Sequence, residues 1–302
     1  LMTDRHGSLI ASALRVFPLT RHLYCLHHLK GNIAQHIQGS LQASWADFTQ
    51  DFWKAYRAVS PDEFDRLWNE LVVRYPTASS YLQEEIYPCR DRWAWAWVGT
   101  VFTAGSRTSG RVEVENRVTG VLGGTKKSFS QVFDALNART LEQSCNDMIS
   151  VRQSSRRQHP NANLENLFKT VLEQVRKYAG PYALQTVYQQ MERSVYYKTE
   201  VVLPPQGVKD WGNFNNFDND SAYVSTAWLI WLIRNRNMSV QHLLKVTHGS
   251  TGAVHYIAVI DAYQHVCDCC MGLSLGIPCR HFFQALSASR GKSLLFHMGL
   301  IR

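Results

Sequence analysis

A cluster of soft metal ligands near the end of the chain constrains the fold most. The stretch CDCCMGLSLGIPCRH, residues 267–281 of 302, holds four of the seven cysteines and one histidine. It contains two pairs with one residue between the members, and this spacing can place both side chains on one side of an extended strand or tight turn. Four such ligands complete the tetrahedron of a structural Zn(II) site. The predicted ligands are Cys267, Cys269, Cys279 and His281.

Two other interpretations of the cluster fit its residues less well. Cys267 and Cys270 have the C-x-x-C spacing of a redox pair, but no βαβ unit surrounds them. Buried thiols without a metal would leave the matched pairs unexplained. Cys270 follows Cys269 directly, so on a strand its side chain would point to the opposite face, and we expect it not to bind the metal.

The residues around the cluster also predict secondary structure. Residues 253–266 are β-branched and aromatic and predict a hairpin, residues 276–278 (Gly-Ile-Pro) a turn, and residues 281–288 a helix. Residues 240–290, with the segment GIPCRH, resemble the SWIM zinc finger. The resemblance implies a module that binds DNA or protein and catalyses nothing. Such modules often occur at the C-terminus of Mutator-like transposases.

The start of the chain predicts a strand–helix–strand unit. Asp4 ends a short apolar stretch, residues 8–17 have helical apolar spacing up to Pro18, and residues 22–25 form a short strand before a helix from about His28. Carboxylates at the C-terminal ends of such strands lie in the ligand crevice. Taken alone, Asp4 is better explained as a solvated turn acid.

This N-terminal segment resembles the Mutator-like (MULE-type) DDE transposase domain. The matching residues are Asp4, Phe17, Pro18, Cys25, His28 and Asn32. The resemblance implies a ribonuclease-H-like fold in which Asp4 is the second acid of the catalytic triad. It also implies that Cys25 and His28 lie beside the catalytic centre and shape it, although plain packing would serve them as well.

The third acid of the resemblance is Glu113. The segment Arg111-Val-Glu-Val-Glu-Asn116 matches the R-v-E-x-x-N pattern of the family. Glu115 points away on a helix and is the alternative. No first acid precedes Leu1, so we expect an N-terminally truncated core. Mg(II) or Mn(II) would be held only by an intact core, and we expect no strand cleavage by this chain alone.

Together these patterns predict an α/β fold with three parts. Residues 1–140 would form a partial ribonuclease-H-like core, with an all-helical insertion at about 44–105. A helical extension at 141–202, a linker at 203–225 and a zinc-bound β-hairpin/helix SWIM region at 226–302 would follow. Aromatic residues of the insertion follow the helix period, and Ser60-Pro61-Asp62-Glu63 is a capping box. The polar, basic residues 151–163 predict a loop.

The net charge of +8 favours a polyanionic partner, and DNA is the expected one. Protein partners through the SWIM module are also possible in this scheme. No apolar run is long enough to cross a membrane, and an odd number of cysteines suits reduced thiols in the nucleus or cytoplasm. We therefore expect a fragment of a Mutator-like transposase. The alternative is a non-catalytic, transposon-derived factor that binds DNA or protein. The oligomeric state is not predicted.

Overall fold

The structure is a computed structural model. It describes residues 1–123, 127–155, 161–208, 210–214, 216–218, 223–261, 263–289 and 294–302. The described residues are mostly helical, with a small antiparallel sheet near the C-terminus. None of the helices in these ranges is both long and apolar enough to span a membrane.

The N-terminal residues form the predicted strand–helix–strand unit. Strand β1 (Met2–Thr3) pairs in parallel with β2 (Leu23–Tyr24), and helix α1 (Gly7–Val16) connects them. The helix ends shortly before Pro18, which cannot continue it. Each strand has two residues and the sheet has two strands, so the described residues do not show a ribonuclease-H-like core.

The helical insertion is built around a core of aromatic side chains. Helices α2 (Leu26–Leu41), α3 (Trp45–Tyr56) and α4 (Pro61–Arg74) surround it. Phe52 stacks on Trp93 with ring centroids 5.4 Å apart, and Trp68 is fully buried. The aromatic residues at helical spacing are therefore core residues, as their period predicted.

Two segments differ from their predicted secondary structure. Within the insertion, which was predicted to be all-helical, the segment near residues 77–87 is a series of short helical turns and not one helix, because prolines at its ends and a wide π-turn at Leu82–Ile86 interrupt it. The prediction of a loop at 151–163 is wrong for its first five residues: after α5 (Gly110–Gly123), helix α6 (Phe129–Ser155) continues through residues 151–155. Residues 156–160 lie outside the described residues.

A four-stranded antiparallel sheet forms the centre of the C-terminal region. Its strands lie in the order β3 (Tyr197–Val202), β4 (His242–His248), β5 (Val254–Val259) and β6 (His265–Cys267). The hairpin β5–β6 confirms the hairpin predicted at 253–266, with Ile257 opposite Cys267. Strand β3 comes from the segment expected to be a helical extension, and it pairs along its whole length with β4.

Both faces of this sheet are covered. On one face lie helices α7 (Lys169–Tyr178) and α8 (Pro181–Ser194), together with helix α10 (Arg280–Ser289). On the other face lie helix α9 (Thr226–Arg234) and Trp211. Strand β5 is therefore buried at all six residues. Trp211 belongs to the segment expected to be a linker, so part of that segment packs on the sheet.

One short segment joins the helical insertion to the C-terminal region. The backbone N–H of Ser225 donates to the carbonyl of Val59 at 2.8 Å, and that of Val224 donates to the carbonyl of Asp268 at 3.2 Å. The indole of Trp228 donates to the carbonyl of Ala96 at 2.9 Å. Residues 223–228 thus contact both parts through hydrogen bonds.

Candidate metal centres

The sheet and the helix that follows it bring the four predicted zinc ligands together. One ligand atom from each of Cys267, Cys269, Cys279 and His281 lies within 4.8 Å of all the others. Zn–S bonds of about 2.3 Å would place sulfur atoms roughly 3.8 Å apart around a tetrahedral ion, which fits this spacing. The Cys/His cluster can therefore hold a zinc ion, and four protein ligands would leave no open coordination position.

Local backbone geometry explains how each ligand reaches the centre. Strand β6 ends at Cys267, and Cys279 and His281 stand at the start of helix α10. Between them, Gly276 has a φ of +74°, and a Cβ there would lie 2.8 Å from the side chains of Phe102 and Arg302. Only glycine fits this turn without strain, so the GIP segment delivers the second pair of ligands as predicted.

The three thiols of the cluster influence one another's pKa values through hydrogen bonds. Burial, together with hydrogen bonds with Cys269 and Cys279, raises the pKa of Cys267 well above its usual value. Hydrogen bonds from Cys267 and Cys269 lower the pKa of Cys279 well below its usual value. Cys279 therefore accepts hydrogen bonds from the other two thiols of the cluster, and a divalent cation would stabilise all three thiols in their ionised form.

Cys270 is outside the four-residue group, but the reason is not the one expected. The strand ends three residues earlier, at Cys267, so alternation along a strand does not decide where Cys270 points. Its backbone has a φ of +54°, in the left-handed region. This turn buries the thiol, whose Sγ lies 3.6 Å from the carbonyl oxygen of Asp268.

Polar side chains pack behind the predicted ligands, and the residue pattern did not predict them. Asp268 is fully buried; its Oδ1 lies 2.8 Å from His255 Nδ1, and its Oδ2 accepts hydrogen bonds from Tyr256 N at 2.7 Å and Thr226 Oγ1 at 3.3 Å. The ring of His255 stacks on that of His281 with centroids 4.0 Å apart. Asp268 thus links the ligand turn to strand β5 and helix α9. A charged residue between two cysteine ligands was the available signal.

A second group of potential metal ligands lies beside the N-terminal strands. Ligand atoms of Cys25, His28 and Glu113 are within 4.8 Å of one another. Cys25 follows β2 and precedes α2, His28 lies in the first turn of α2, and Glu113 lies in the first turn of α5. His28 Nε2 is 3.7 Å from Glu113 Oε1. The structure therefore brings Glu113 together with the two residues expected to shape the site.

Ser109 donates hydrogen bonds to two members of this group. Its hydroxyl donates to Glu113 Oε1 at 2.6 Å, and its backbone N–H donates to Cys25 Sγ at 3.3 Å. Burial opposes ionisation of Cys25, but the hydrogen bonds from Ser109 and from backbone N–H groups of His28 and His27 outweigh it and lower the pKa of this thiol. The hydrogen bond from Ser109 also lowers the pKa of Glu113.

The other two predicted acids, Asp4 and Glu115, lie outside this three-residue group. Asp4 directly follows β1, and Cys25 directly follows the neighbouring strand β2, so both lie at the same edge of the parallel pair. Asp4 Oδ1 accepts a 3.4 Å hydrogen bond from the backbone N–H of His6, and Asp4 is not a member of the three-residue group. Glu115, the alternative third acid, forms an ion pair of 2.6 Å with Arg139 on α6.

Part of the chain is similar to curated proteins of Arabidopsis thaliana. Over 118 residues it is 29% identical to Protein FAR1-RELATED SEQUENCE 4, a match that covers 38% of this chain and 16% of that protein. Over 117 residues it is 26% identical to Protein FAR-RED IMPAIRED RESPONSE 1, covering 38% and 14%. Protein FAR1-RELATED SEQUENCE 11 is 22% identical over 116 residues, covering 38% and 17%.

These matches are partial. The chain covers between 14% and 17% of the length of these three relatives. No family model and no solved structure matches the chain. Over about two fifths of its length the chain is thus similar to FAR1-related proteins, and none of the three names describes a DDE transposase.

Proposed function

We propose that this chain is a non-catalytic, transposase-derived factor that binds DNA through its zinc-stabilised C-terminal region. The observation that carries the proposal is the closed group of Cys267, Cys269, Cys279 and His281. A zinc ion with four protein ligands has a structural role, since it keeps no position for a reacting water. The similarity to FAR1-related proteins also favours a factor over the transposase fragment that we expected first.

The distribution of charge supports DNA as the partner. Residues 226–302 contain seven lysines and arginines and two aspartates, a net charge of +5 out of +8 for the whole chain. Of the two aspartates, Asp268 is fully buried and contributes little to the surface. Residues 41–91 in the helical insertion carry five basic and nine acidic residues. Phosphates would therefore be attracted to the C-terminal region rather than to the insertion.

In this proposal the N-terminal part retains residues of a transposase core but has no transposase activity. Residues 1–140 correspond to part of a ribonuclease-H-like core, with Asp4 and Glu113 at the positions of its second and third acids. Asp4 lies outside the three-residue group that contains Glu113, and this does not favour a metal site shared by the two acids. The proposed DNA-binding role places the protein in the nucleus.

The test is binding of fluorescent duplex DNA by the zinc-loaded chain 1–302 at several salt concentrations. Arg234 and Arg236 are exposed at the end of α9, and replacing both by alanine should weaken binding and reduce the slope of log K against log salt by about 1 to 2. The matched control replaces the exposed Arg57 and Arg66 of the insertion, which removes the same charge and should change neither quantity.

Two outcomes would overturn the proposal. Equal weakening by both pairs of substitutions would mean that net charge alone attracts DNA and that the C-terminal region is not the binding surface. Failure of the zinc-loaded chain to bind DNA at low salt would favour the protein-binding alternative.

A further inference from the structure

We propose that Cys25, His28 and Glu113 form a second metal site, which takes a zinc-type transition-metal ion and leaves one coordination position open. This site lies at the N-terminal strands and is separate from the Cys267 cluster in the chain. The inference is independent of DNA binding.

The three ligand side chains lie close together in the structure. A thiol, an imidazole and a carboxylate lie within 4.8 Å of one another, on three turns of backbone that are fixed by their own hydrogen bonds. The backbone N–H of Cys25 donates to the carbonyl of Thr3 at 2.8 Å, which ties Cys25 to the strand pair. The N–H of Leu26 donates to the carbonyl of Arg107 at 3.1 Å, which ties the start of α2 to the loop before Glu113. The three ligands are therefore positioned by the fold before any ion binds.

The imidazole of His28 has hydrogen-bonding capacity that the described residues do not use. Among the described residues, His28 Nδ1 is buried without a hydrogen-bond partner, and Nε2 has only Glu113 Oε1 at 3.7 Å, too far for a hydrogen bond. Nε2 is therefore the ring nitrogen that faces the Glu113 carboxylate, and no hydrogen bond to that carboxylate competes with a metal ion there. Ser109, by contrast, bonds both Cys25 and Glu113, as residues behind metal ligands commonly do.

The types of ligand atom determine which ion the site prefers. Mg(II) prefers oxygen ligands in an octahedron, whereas thiolate and imidazole ligands suit Zn(II) and its analogue Co(II). Three protein ligands leave a fourth position for water or another donor, and the side chains of His28 and Glu113 are 38% and 37% exposed, so solvent can reach it. The ligand set therefore differs from the carboxylate set that a DDE active site would use for magnesium.

The experiment measures metal content of the reduced, metal-free chain 1–302 after titration with Zn(II), and the absorption spectrum after titration with Co(II). We expect two equivalents of zinc and cobalt–thiolate charge-transfer absorption from two sites. Cys25→Ser should remove one equivalent, Cys279→Ala should remove the other, and the double variant should bind none. His28→Gln, at a half-exposed position, should weaken the second site by about tenfold or more if Cys25→Ser fails to fold.

Cys145→Ser is the matched control, because Cys145 is an exposed thiol outside both groups. It should leave two equivalents. The proposal is overturned if the wild-type chain binds one equivalent that Cys279→Ala abolishes, or if His28→Gln and Glu113→Gln leave both equivalents at wild-type affinity. Displacement of the second ion by millimolar Mg(II) would also contradict the proposed ligand chemistry.

Discussion

At the scale of single residues, Asp268 shows how a buried acidic residue can be tolerated beside the Cys/His cluster. Its carboxylate is fully buried and is bonded to the ring of His255, the backbone of β5 and the hydroxyl of Thr226. A buried carboxylate without such partners would be strongly destabilising. The sequence shows an acid between two cysteines but not the three distant groups that surround it, so its role emerged only from the structure.

The two neighbouring cysteines, Cys269 and Cys270, give the sharpest residue-scale prediction. Cys269 belongs to the four-ligand group and Cys270 does not. Cys269→Ser should therefore reduce the zinc content of the Cys267 cluster and lower the melting temperature of the C-terminal region, because structural zinc supplies folding free energy directly. Cys270→Ser should keep the zinc, since a hydroxyl can donate to the Asp268 carbonyl as the thiol does. Metal analysis with thermal unfolding tests both variants.

The comparison is made on the reduced chain in a Cys25→Ser background, so that only the C-terminal cluster is counted. Loss of zinc from Cys270→Ser equal to that from Cys269→Ser would show that the wrong thiol was assigned.

At the scale of elements, the helices that follow a regular period were predictable and the interrupted ones were not. Helix α4 shows every local signal: Ser60 Oγ accepts from Glu63 N at 3.2 Å, Glu63 Oε2 accepts from Val59 N at 2.8 Å, and Pro61 opens the helix. Strand β3 carries no comparable local signal, because its pairing partner β4 lies 39 residues further along the chain. Pairing with a distant strand depends on tertiary contacts that local propensity does not encode.

The cap of helix α4 supports a quantitative prediction. Ser60→Ala removes the acceptor for Glu63 N and should lower the free energy of unfolding of the insertion by about 1 kcal/mol. Ser60→Asn, which can accept the same hydrogen bond, should restore most of the loss. Urea unfolding followed by tryptophan fluorescence is suitable, since six of the nine tryptophans lie between residues 45 and 97. Equal stability of wild type and Ser60→Ala would show that the cap is not a stabilising contact.

For the candidate sites, the sequence predicted the ligand residues better than it predicted the residues that surround them. The spacing of Cys267, Cys269, Cys279 and His281 identified a group that the structure brings within 4.8 Å. The resemblance pointed to Cys25, His28 and Glu113, but not to Ser109, which holds two of them. Ser109 acts through its backbone as well as its hydroxyl, and residue type does not reveal where a backbone N–H will point.

At the scale of the whole molecule, the zinc region depends on elements far upstream of its ligands. Helices α7 and α8 share a core with Cys267, Cys279 and α10, and β3 pairs with β4. A fragment of residues 161–302 should therefore fold with zinc. A fragment of residues 226–302, although it contains all four ligands, should expose the edge of β4 and aggregate or remain unfolded.

Amide hydrogen exchange and gel filtration of the two zinc-treated fragments test this dependence. Slowly exchanging amides in β4 and β5 of the longer fragment, with none in the shorter one, is the expected result. Native-like protection in the shorter fragment would mean that the zinc region is self-sufficient.

The order of strands in the sheet also has a consequence for the time course of folding. Strand β3 is synthesised first, and each later strand pairs with the one made just before it, so the sheet can grow in one direction during translation. Its first step is the slowest in principle, because closing the 39-residue connection between β3 and β4 costs roughly 3 kcal/mol of chain entropy. Cys279 and His281 leave the ribosome after all four strands. Zinc can therefore bind with all four ligands only after the four strands have been synthesised, and it would stabilise a sheet that has already formed. Until then the first two cysteines can be oxidised in the environment of the nascent chain.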